Sequence, residues 1–127
     1  MKLNDLEIYQ KSMTLGDKVY DTVIKWNYFD KDTLGKQWVR AVDSVSLNIS
    51  EGFGKYYYKD QRNFYYFSRG SLLESYSCLK KAKNRELIDE AMFTFLFKEH
   101  ETLTIKLNKF IRSVTNLINK GKETPNN

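Results

Sequence analysis

The chain has 127 residues, 41% of them hydrophobic and 29% charged, with a formal net charge of +5 at pH 7. This composition excludes a disordered chain, and the length suffices for one domain with a sizeable core. The single cysteine, Cys78, excludes an intrachain disulfide and a cysteine-based metal cluster, which favours a reducing compartment. Residues 1–5 lack the apolar run of a signal peptide, and no segment has the ~20 apolar residues of a membrane span. We therefore expect a soluble cytoplasmic protein without membrane contact.

Helices dominate the predicted structure, since only six Gly and one Pro interrupt the chain. The first helix is predicted to begin at Asn4, because Asn is a favoured N-cap and Glu7 completes a capping-box pattern. It should end between residues 26 and 29. Its apolar row, spaced alternately by three and four residues, consists of Leu6, Tyr9, Met13, Gly16, Tyr20 and Val23.

A second helix is predicted to start near Asp30 to Thr33, which offer capping side chains. It should stop at residues 52–54, because Gly readily takes the left-handed conformation of a C-cap. Two rows imply burial on more than one side: Leu34, Trp38, Ala41, Val45, Asn48 and Gly52, with Val42, Ile49 and Phe53 beside them.

The third helix is predicted from Lys59 or Asp60 to about residues 83–85, where several cations would favourably meet the helix dipole. One row is Phe64, Phe67, Ser71, Glu74 and Cys78, and the adjacent row is Tyr65, Leu72, Tyr76 and Leu79.

The fourth helix has the most regular pattern, with Asp89 and Glu90 in its first turn and Gly121 as its C-cap. Its row is Phe93, Leu96, His100, Leu103, Leu107, Phe110, Val114 and Leu117. Four helices with short connections predict an all-α fold, an antiparallel up-down-up-down four-helix bundle. We assign residues 1–120 to the bundle and 121–127 to a disordered polar tail.

A constellation of catalytic groups is missing from the sequence. The only histidine, His100, lies in an apolar row and suits a buried, hydrogen-bonded position better than catalysis. One histidine cannot supply a di-iron bundle, and residues 52–55 lack the spacing of a phosphate-binding loop. We therefore predict a protein that is not an enzyme, with no catalytic residue, no cofactor and no metal site.

Some polar residues occupy positions where the pattern expects apolar ones. Unpaired buried polar groups are costly, so we predict a structural polar network in which Asn48, with Arg40 nearby, hydrogen-bonds to the third helix. Gly70 would let the helix backbones approach closely. A ligand pocket is the alternative interpretation. The network residues are Asn48, Glu51, Ser71 and Glu74.

Positive charge is concentrated in the middle of the chain. Residues 36–85 carry ten Lys/Arg against four Asp/Glu, whereas the remainder carries eleven against twelve. Such a surplus attracts polyanions or simply keeps the protein soluble. Cations interleaved with aromatic rings can neutralise phosphates and stack on unpaired bases, although the same tyrosines could cover a subunit interface. The candidate nucleic-acid-binding residues are Lys36, Arg40, Lys55, Lys59, Arg62, Arg69, Tyr56, Tyr57 and Tyr58.

Residues 40–55, which begin Arg-Ala and end Asn-Ile-Ser-Glu-Gly-Phe-Gly-Lys, resemble the central signature of the 23S rRNA intervening-sequence family of four-helix-bundle proteins. The run Arg69-Gly70-Ser71-x-x-Glu74 is similar to the second signature, and residues 6–9 resemble the start of the family. Ser50 stands where Ala is usual. Lys55 stands where Arg is usual and lacks the bidentate guanidinium fork.

The resemblance implies a bundle that assembles into a ring-like homo-oligomer, typically a pentamer. Members are encoded within extra segments of large-subunit ribosomal RNA genes or stand alone. Similar bundles are retroelement accessory proteins that bind nucleic acid and a reverse transcriptase. We expect an oligomeric RNA- or nucleic-acid-binding bundle. The alternative is a protein-interaction scaffold whose basic and aromatic surface contacts subunits or a protein partner.

Overall fold

The computed structural model describes residues 1–126, which form helices and turns without a β-strand; Asn127 lies outside the described residues. A 3-10 turn, Leu3–Asp5, precedes helix α1, Glu7–Val23. One helical turn, α2 (Tyr28–Asp30), and a π-helical turn, Lys31–Gly35, lead directly into α3, Lys36–Phe53. Two longer helices follow, α4 (Tyr58–Asn84) and α5 (Glu90–Asn119). No helix within residues 1–126 is long and apolar enough to cross a membrane.

The four long helices enclose one core. Helix α1 packs on α3 and α5, and α4 packs on α3 and α5. Helices α3 and α4 run in opposite directions, because Trp38 contacts Ser75 whereas the later residue Val45 contacts the earlier residue Ser68. The largest fully buried side chains are Trp38, Tyr65, Leu15, Ile49, Leu72, Leu79, Leu96, Leu103, Leu107, His100, Val19 and Val42.

The first helix differs from the prediction in its start, in part of its buried row, and in its end at Val23 instead of residues 26–29. Asn4 lies within the 3-10 turn, where the Lys2 N–H donates to the Asp5 carboxylate, so the predicted capping box at Asn4 does not form. Met13 and Tyr20 are exposed. The predicted row is correct at Leu6, Gly16 and Val23, which are buried. The other buried positions of α1 are Ile8, Ser12, Leu15 and Val19.

Helix α4 also faces the core with a different row from the first one predicted. Phe67 and Glu74 are exposed, whereas the adjacent predicted row is correct at Tyr65, Leu72 and Leu79. The inward face alternates these with small or polar side chains, namely Gln61, Ser68, Ser75, Cys78 and Ala82. The α5 row is confirmed at its centre, where Leu96, His100, Leu103, Leu107 and Val114 are buried.

Gly52, Gly54 and Gly70 act differently from the prediction, whereas Gly121 ends α5 as predicted. Gly54, the C-cap of α3, has φ −78° and is right-handed. Gly52 instead permits close packing, because a Cβ there would lie 2.8 Å from Tyr65 Cε1 and 2.9 Å from the Gln61 carbonyl oxygen. Gly70, predicted to allow close approach, has no such neighbour within 4 Å. Gly121 follows α5 with φ +83°, as a helix-ending glycine does.

Residues 121–126, predicted as a disordered tail, fold back on the start of α4. The Tyr58 N–H donates to the Glu123 carbonyl at 2.8 Å, and Thr124 is buried. The first amide groups of a helix have no partner within it, so this contact caps α4 from outside.

A chain of hydrogen bonds joins α3, α4 and α5 inside the core. The Trp38 indole N–H donates to Ser75 Oγ at 3.0 Å, and Ser75 Oγ lies 2.7 Å from His100 Nε2. His100 Nδ1 lies 2.7 Å from the Leu96 carbonyl, which can only accept, so Nδ1 carries the proton. Ser75 then donates to Nε2, and every member of the chain is satisfied with His100 neutral.

The buried hydrogen bonds of Trp38, Ser75 and His100 stand in place of the polar network predicted between the second and third helices. Asn48 donates its side-chain amide to the Ser44 carbonyl of its own helix at 2.8 Å. Glu51 and Glu74 are exposed, as is Arg40, and Ser71 is half-buried. The surface carboxylates reach water, so burial imposes no need for the predicted pairing.

Gly52 and Gly70 provide a matched pair for a packing test. We expect Gly52→Ala to destabilise the protein by about 1–3 kcal/mol, because its methyl group would force α3 and α4 apart. Gly70→Ala should stabilise it by about 0.5–1 kcal/mol, because the methyl group meets open space and Ala favours helix. Urea unfolding of both variants measures the difference. Equal effects would contradict the assigned packing.

Acidification should weaken the fold through His100. Burial lowers the pKa of His100, although its bond to the Leu96 carbonyl opposes the shift and Glu99 adds a smaller opposing effect. Below pH ~6.5 the imidazole of His100 becomes protonated in the unfolded chain but stays neutral in the folded protein. The free energy of unfolding therefore falls by up to about 1.4 kcal/mol per pH unit. Above pH ~6.5 His100 is neutral in both the folded and the unfolded state, and its full contribution to stability is present. Urea unfolding from pH 7.5 to 5.5 tests this, and a flat profile would contradict it.

Candidate nucleic-acid interface

Two arginines flank a tyrosine on the face of α4 that borders α5. Arg62, Tyr66 and Arg69 are spaced by four and three residues, which places them in one row along a helix. The Arg62 guanidinium carbon lies 5.7 Å from the Tyr66 ring centre, and that of Arg69 lies 5.0 Å from it. Tyr66 thus contacts both cations, an arrangement that favours ordered guanidinium groups. We call these three residues the arginine–tyrosine row.

Helix α5 holds both arginines. Arg62 Nη1 donates to Thr115 Oγ1 and Arg69 Nη1 donates to Asn108 Oδ1, each at 3.2 Å. The ion pairs within residues 1–126 are Lys83–Glu90 and Lys106–Glu7, so neither arginine has an acidic partner there. The buried Arg62 Nε has no hydrogen-bond partner among the described groups. Both positive charges are therefore positioned by neutral groups and remain uncompensated.

The α3–α4 connection presents two of its three tyrosines to solvent. Tyr56 and Tyr57 are 61% and 50% exposed, and their rings meet edge to face with centres 4.9 Å apart. Tyr58 is half-buried and packs against the core. Lys55 Nζ lies 5.2 Å from the Phe64 ring centre. Of the three tyrosines in the α3–α4 connection, Tyr56 and Tyr57 have exposed rings on which bases could stack.

Lys59, in the first turn of α4, is exposed and borders a surface groove of about 480 Å³ beside the folded-back C-terminal segment. Asp60 and Glu123 line the same groove as Lys59 and Lys122. Opposite charges therefore mix in this groove, whereas Arg62 and Arg69 have no acidic partner within residues 1–126.

Lys36 and Arg40 do not join the other predicted residues. Arg40 lies thirteen residues before the end of α3, about 20 Å along the helix axis from the α3–α4 connection. Both side chains line a shallow groove with Tyr20 and Ile24 near the opposite end of α3. The nine predicted residues therefore form two separate surfaces.

Asn108 and Thr115 belong to the candidate interface, although neither was predicted from the sequence. Both are half-buried on α5, and each accepts from one of the two arginines. Their seven-residue spacing matches that of Arg62 and Arg69, as expected for two helices lying side by side. This equal spacing was the only signal available, and a single sequence does not give the register between two helices.

His100 and Cys78 both lie in the core rather than at the interface. Both ring nitrogens of His100 are hydrogen-bonded inside the core. Cys78 is buried, and burial raises the pKa of its thiol, which keeps it protonated. No three of the His, Cys, Asp and Glu side chains in residues 1–126 are grouped to hold a metal ion. What the interface offers is fixed positive charge beside exposed aromatic rings.

Comparison with known proteins places this architecture in a family. The model for the 23S rRNA-intervening sequence protein family matches residues 4–109, which include the predicted signatures and the arginine–tyrosine row. A solved structure from Bacteroides thetaiotaomicron VPI-5482, described as a protein of unknown function from the S23 ribosomal protein family, has a similar fold. The similarity has a TM-score of 0.75 and 18% identity, and covers 88% of this chain and 99% of that one. No curated protein matches this chain. The chain belongs to the 23S rRNA-intervening sequence protein family.

Proposed function

We propose that this chain is a non-enzymatic nucleic-acid-binding bundle, with RNA as its ligand. The observation that carries the proposal is the arginine–tyrosine row, where two guanidinium groups without acidic partners are held by α5. Phosphates are the ligands that this geometry suits, because guanidinium groups bind their oxygens through paired hydrogen bonds.

Preorganisation strengthens such a site. Ordering a long side chain on binding costs about 0.5–1.5 kcal/mol. Thr115 and Asn108 already restrain Arg62 and Arg69 in the free protein, so less of that cost is incurred when phosphate binds. Each arginine keeps the two N–H donors of Nη2 for a ligand, since α5 engages only Nη1 and the Arg62 Nε is buried.

The interface extends from the arginine–tyrosine row to the α3–α4 connection. Lys59 lies one helical turn before Arg62, and Tyr56 and Tyr57 precede it with exposed rings. Cations beside aromatic rings suit a nucleic acid that presents both phosphates and unstacked bases. Lys36 and Arg40 belong to a different surface and contribute less to this contact.

The proposal includes an up-down-up-down bundle that assembles as a ring-like homo-oligomer, a pentamer by family resemblance. Antiparallel contacts between α3 and α4 support the topology. Exposed aliphatic side chains, including Leu47 on α3, support burial against further subunits. A ring would present several copies of one modest cationic site, and linked sites bind with greater avidity than one.

A protein-interaction scaffold is the second candidate. The observation that favours it is the number of large apolar side chains left exposed, among them Phe29 and Tyr28 beside the π-helical turn. Aromatic side chains are enriched at protein interfaces. In this role Arg62 and Arg69 would contact a protein partner or a subunit.

Removing the two arginines provides the test. We expect Arg62→Ala/Arg69→Ala to lose most RNA affinity at low salt. The slope of log affinity against log salt concentration should become shallower by the amount that about two phosphate contacts contribute. Lys81→Ala/Arg85→Ala is the matched control, because it removes the same charge from the last turn and the C-cap of α4, far from Arg62 and Arg69. Fluorescence anisotropy with labelled ribosomal RNA fragments and unrelated RNA measures both.

The oligomeric mass and melting temperature of each variant must be measured alongside binding. Unchanged mass with binding lost only in the arginine variant supports the proposal. Affinity that is independent of salt, or equal losses in the two variants, would refute it. An arginine variant that dissociates would favour the scaffold.

A further inference from the structure

A groove between α4 and α5 adjoins the arginine–tyrosine row. Its volume is about 760 Å³, within the range of small-molecule sites, and most of its lining is apolar or aromatic. Tyr66 and Arg69 lie at the border shared with the row. The remaining lining residues include Leu73, Tyr76, Phe97, Glu101, Thr104 and Ile105.

Gly70 keeps this groove open. It lies in the interior of α4, where Gly is less favourable than Ala. A Cβ at position 70 would meet no neighbouring atom within 4 Å, so packing within the chain does not require Gly there. A side chain at this position would project into the space that the groove now provides.

The walls of the groove are unusually exposed for apolar side chains. Leu73 is 66% exposed on the α4 side, and Ile105 is 62% exposed on the α5 side. Tyr76 and Phe97 lie across from each other with ring centres 5.8 Å apart. Leu72 and His100 are buried beneath them. A flat apolar group that entered would cover these walls and exclude water from them.

Charge is polarised along the groove. The Arg69 guanidinium lies at one end, tied to Asn108. Glu101, an exposed lining residue, lies seven residues before Asn108 on α5, about 10 Å along the helix axis. A ligand that suits both ends carries an anion at the Arg69 end and N–H donors at the Glu101 end.

We propose that the groove takes an unpaired nucleobase of single-stranded nucleic acid while Arg62 and Arg69 bind the flanking phosphates. This inference rests on the proposed function and narrows its ligand from nucleic acid in general to a strand with accessible bases. Carboxylates accept hydrogen bonds from base amino groups, so Glu101 would contact the base edge. The apolar and aromatic walls contact the base faces, as in other single-strand binding sites.

Double-stranded nucleic acid cannot place a base in the groove, because its bases are stacked and paired inside the double helix. It can still place phosphates on Arg62 and Arg69. The wild-type protein should therefore bind both forms, with higher affinity for the single strand.

The test is Gly70→Leu, a substitution that favours helix and fills the groove without removing a charge. The probes are a labelled single-stranded RNA of mixed sequence and the same strand annealed to its complement, measured by anisotropy at low salt. Stacking contributes about 1–3 kcal/mol per base, so we expect a loss of about tenfold or more for the single strand. Affinity for the duplex should stay unchanged. Light scattering and circular dichroism check the mass and fold of the variant.

The outcomes separate this inference from the proposed function. Single-strand preference that Gly70→Leu abolishes supports the groove as a base site. Salt-dependent binding of both probes that Gly70→Leu leaves unchanged keeps the proposed function and overturns the base site. A change in oligomeric mass assigns the groove to a subunit contact and also overturns it. Wild-type protein that binds neither probe refutes the proposed function itself, and the base site with it.

Discussion

The hydrogen-bond chain from Trp38 through Ser75 and His100 to the Leu96 carbonyl is the interaction on which the arrangement of α3, α4 and α5 depends. An indole N–H and an imidazole buried without partners would each cost free energy, so only a narrow range of helix rotations satisfies both. Ser75 must point inward to connect them. That requirement fixes which face of α4 meets the core and which face meets water and α5.

The candidate interface is a consequence of that rotation. With Ser68 and Ser75 turned inward, Arg62, Tyr66 and Arg69 lie on the flank of α4 toward α5, where Thr115 and Asn108 can reach the guanidinium groups. The same rotation brings Gly70 and Leu73 to the surface. The cation site and the groove are therefore two parts of one surface, set by an internal polar contact rather than by local sequence.

The sequence predicted the four long helices well, since apolar periodicity, the acidic residues at the start of α5 and Gly121 after its end act within single segments. It misjudged parts of the buried faces of α1 and α4, where core positions carry serine. Ser12 donates to the Tyr9 carbonyl and Ser68 to the Val45 carbonyl, so each buried hydroxyl has a hydrogen-bond partner. These serines interrupt the apolar periodicity from which a buried face is predicted. Gly52 and Gly70 are indistinguishable until the neighbouring helix is placed. For the same reason Asn108 and Thr115 were not predicted, because their role depends on the register between α4 and α5.

The central claim, that nucleic acid lies along the border of α4 and α5, is tested most directly by ultraviolet crosslinking of the wild-type protein to single-stranded RNA, with the crosslinked peptides identified by mass spectrometry. The account predicts crosslinks in the peptides that contain Tyr66 and Tyr76 on α4 and Phe97 on α5. Crosslinks confined to the far surface around Tyr20, Lys36 and Arg40 would contradict it.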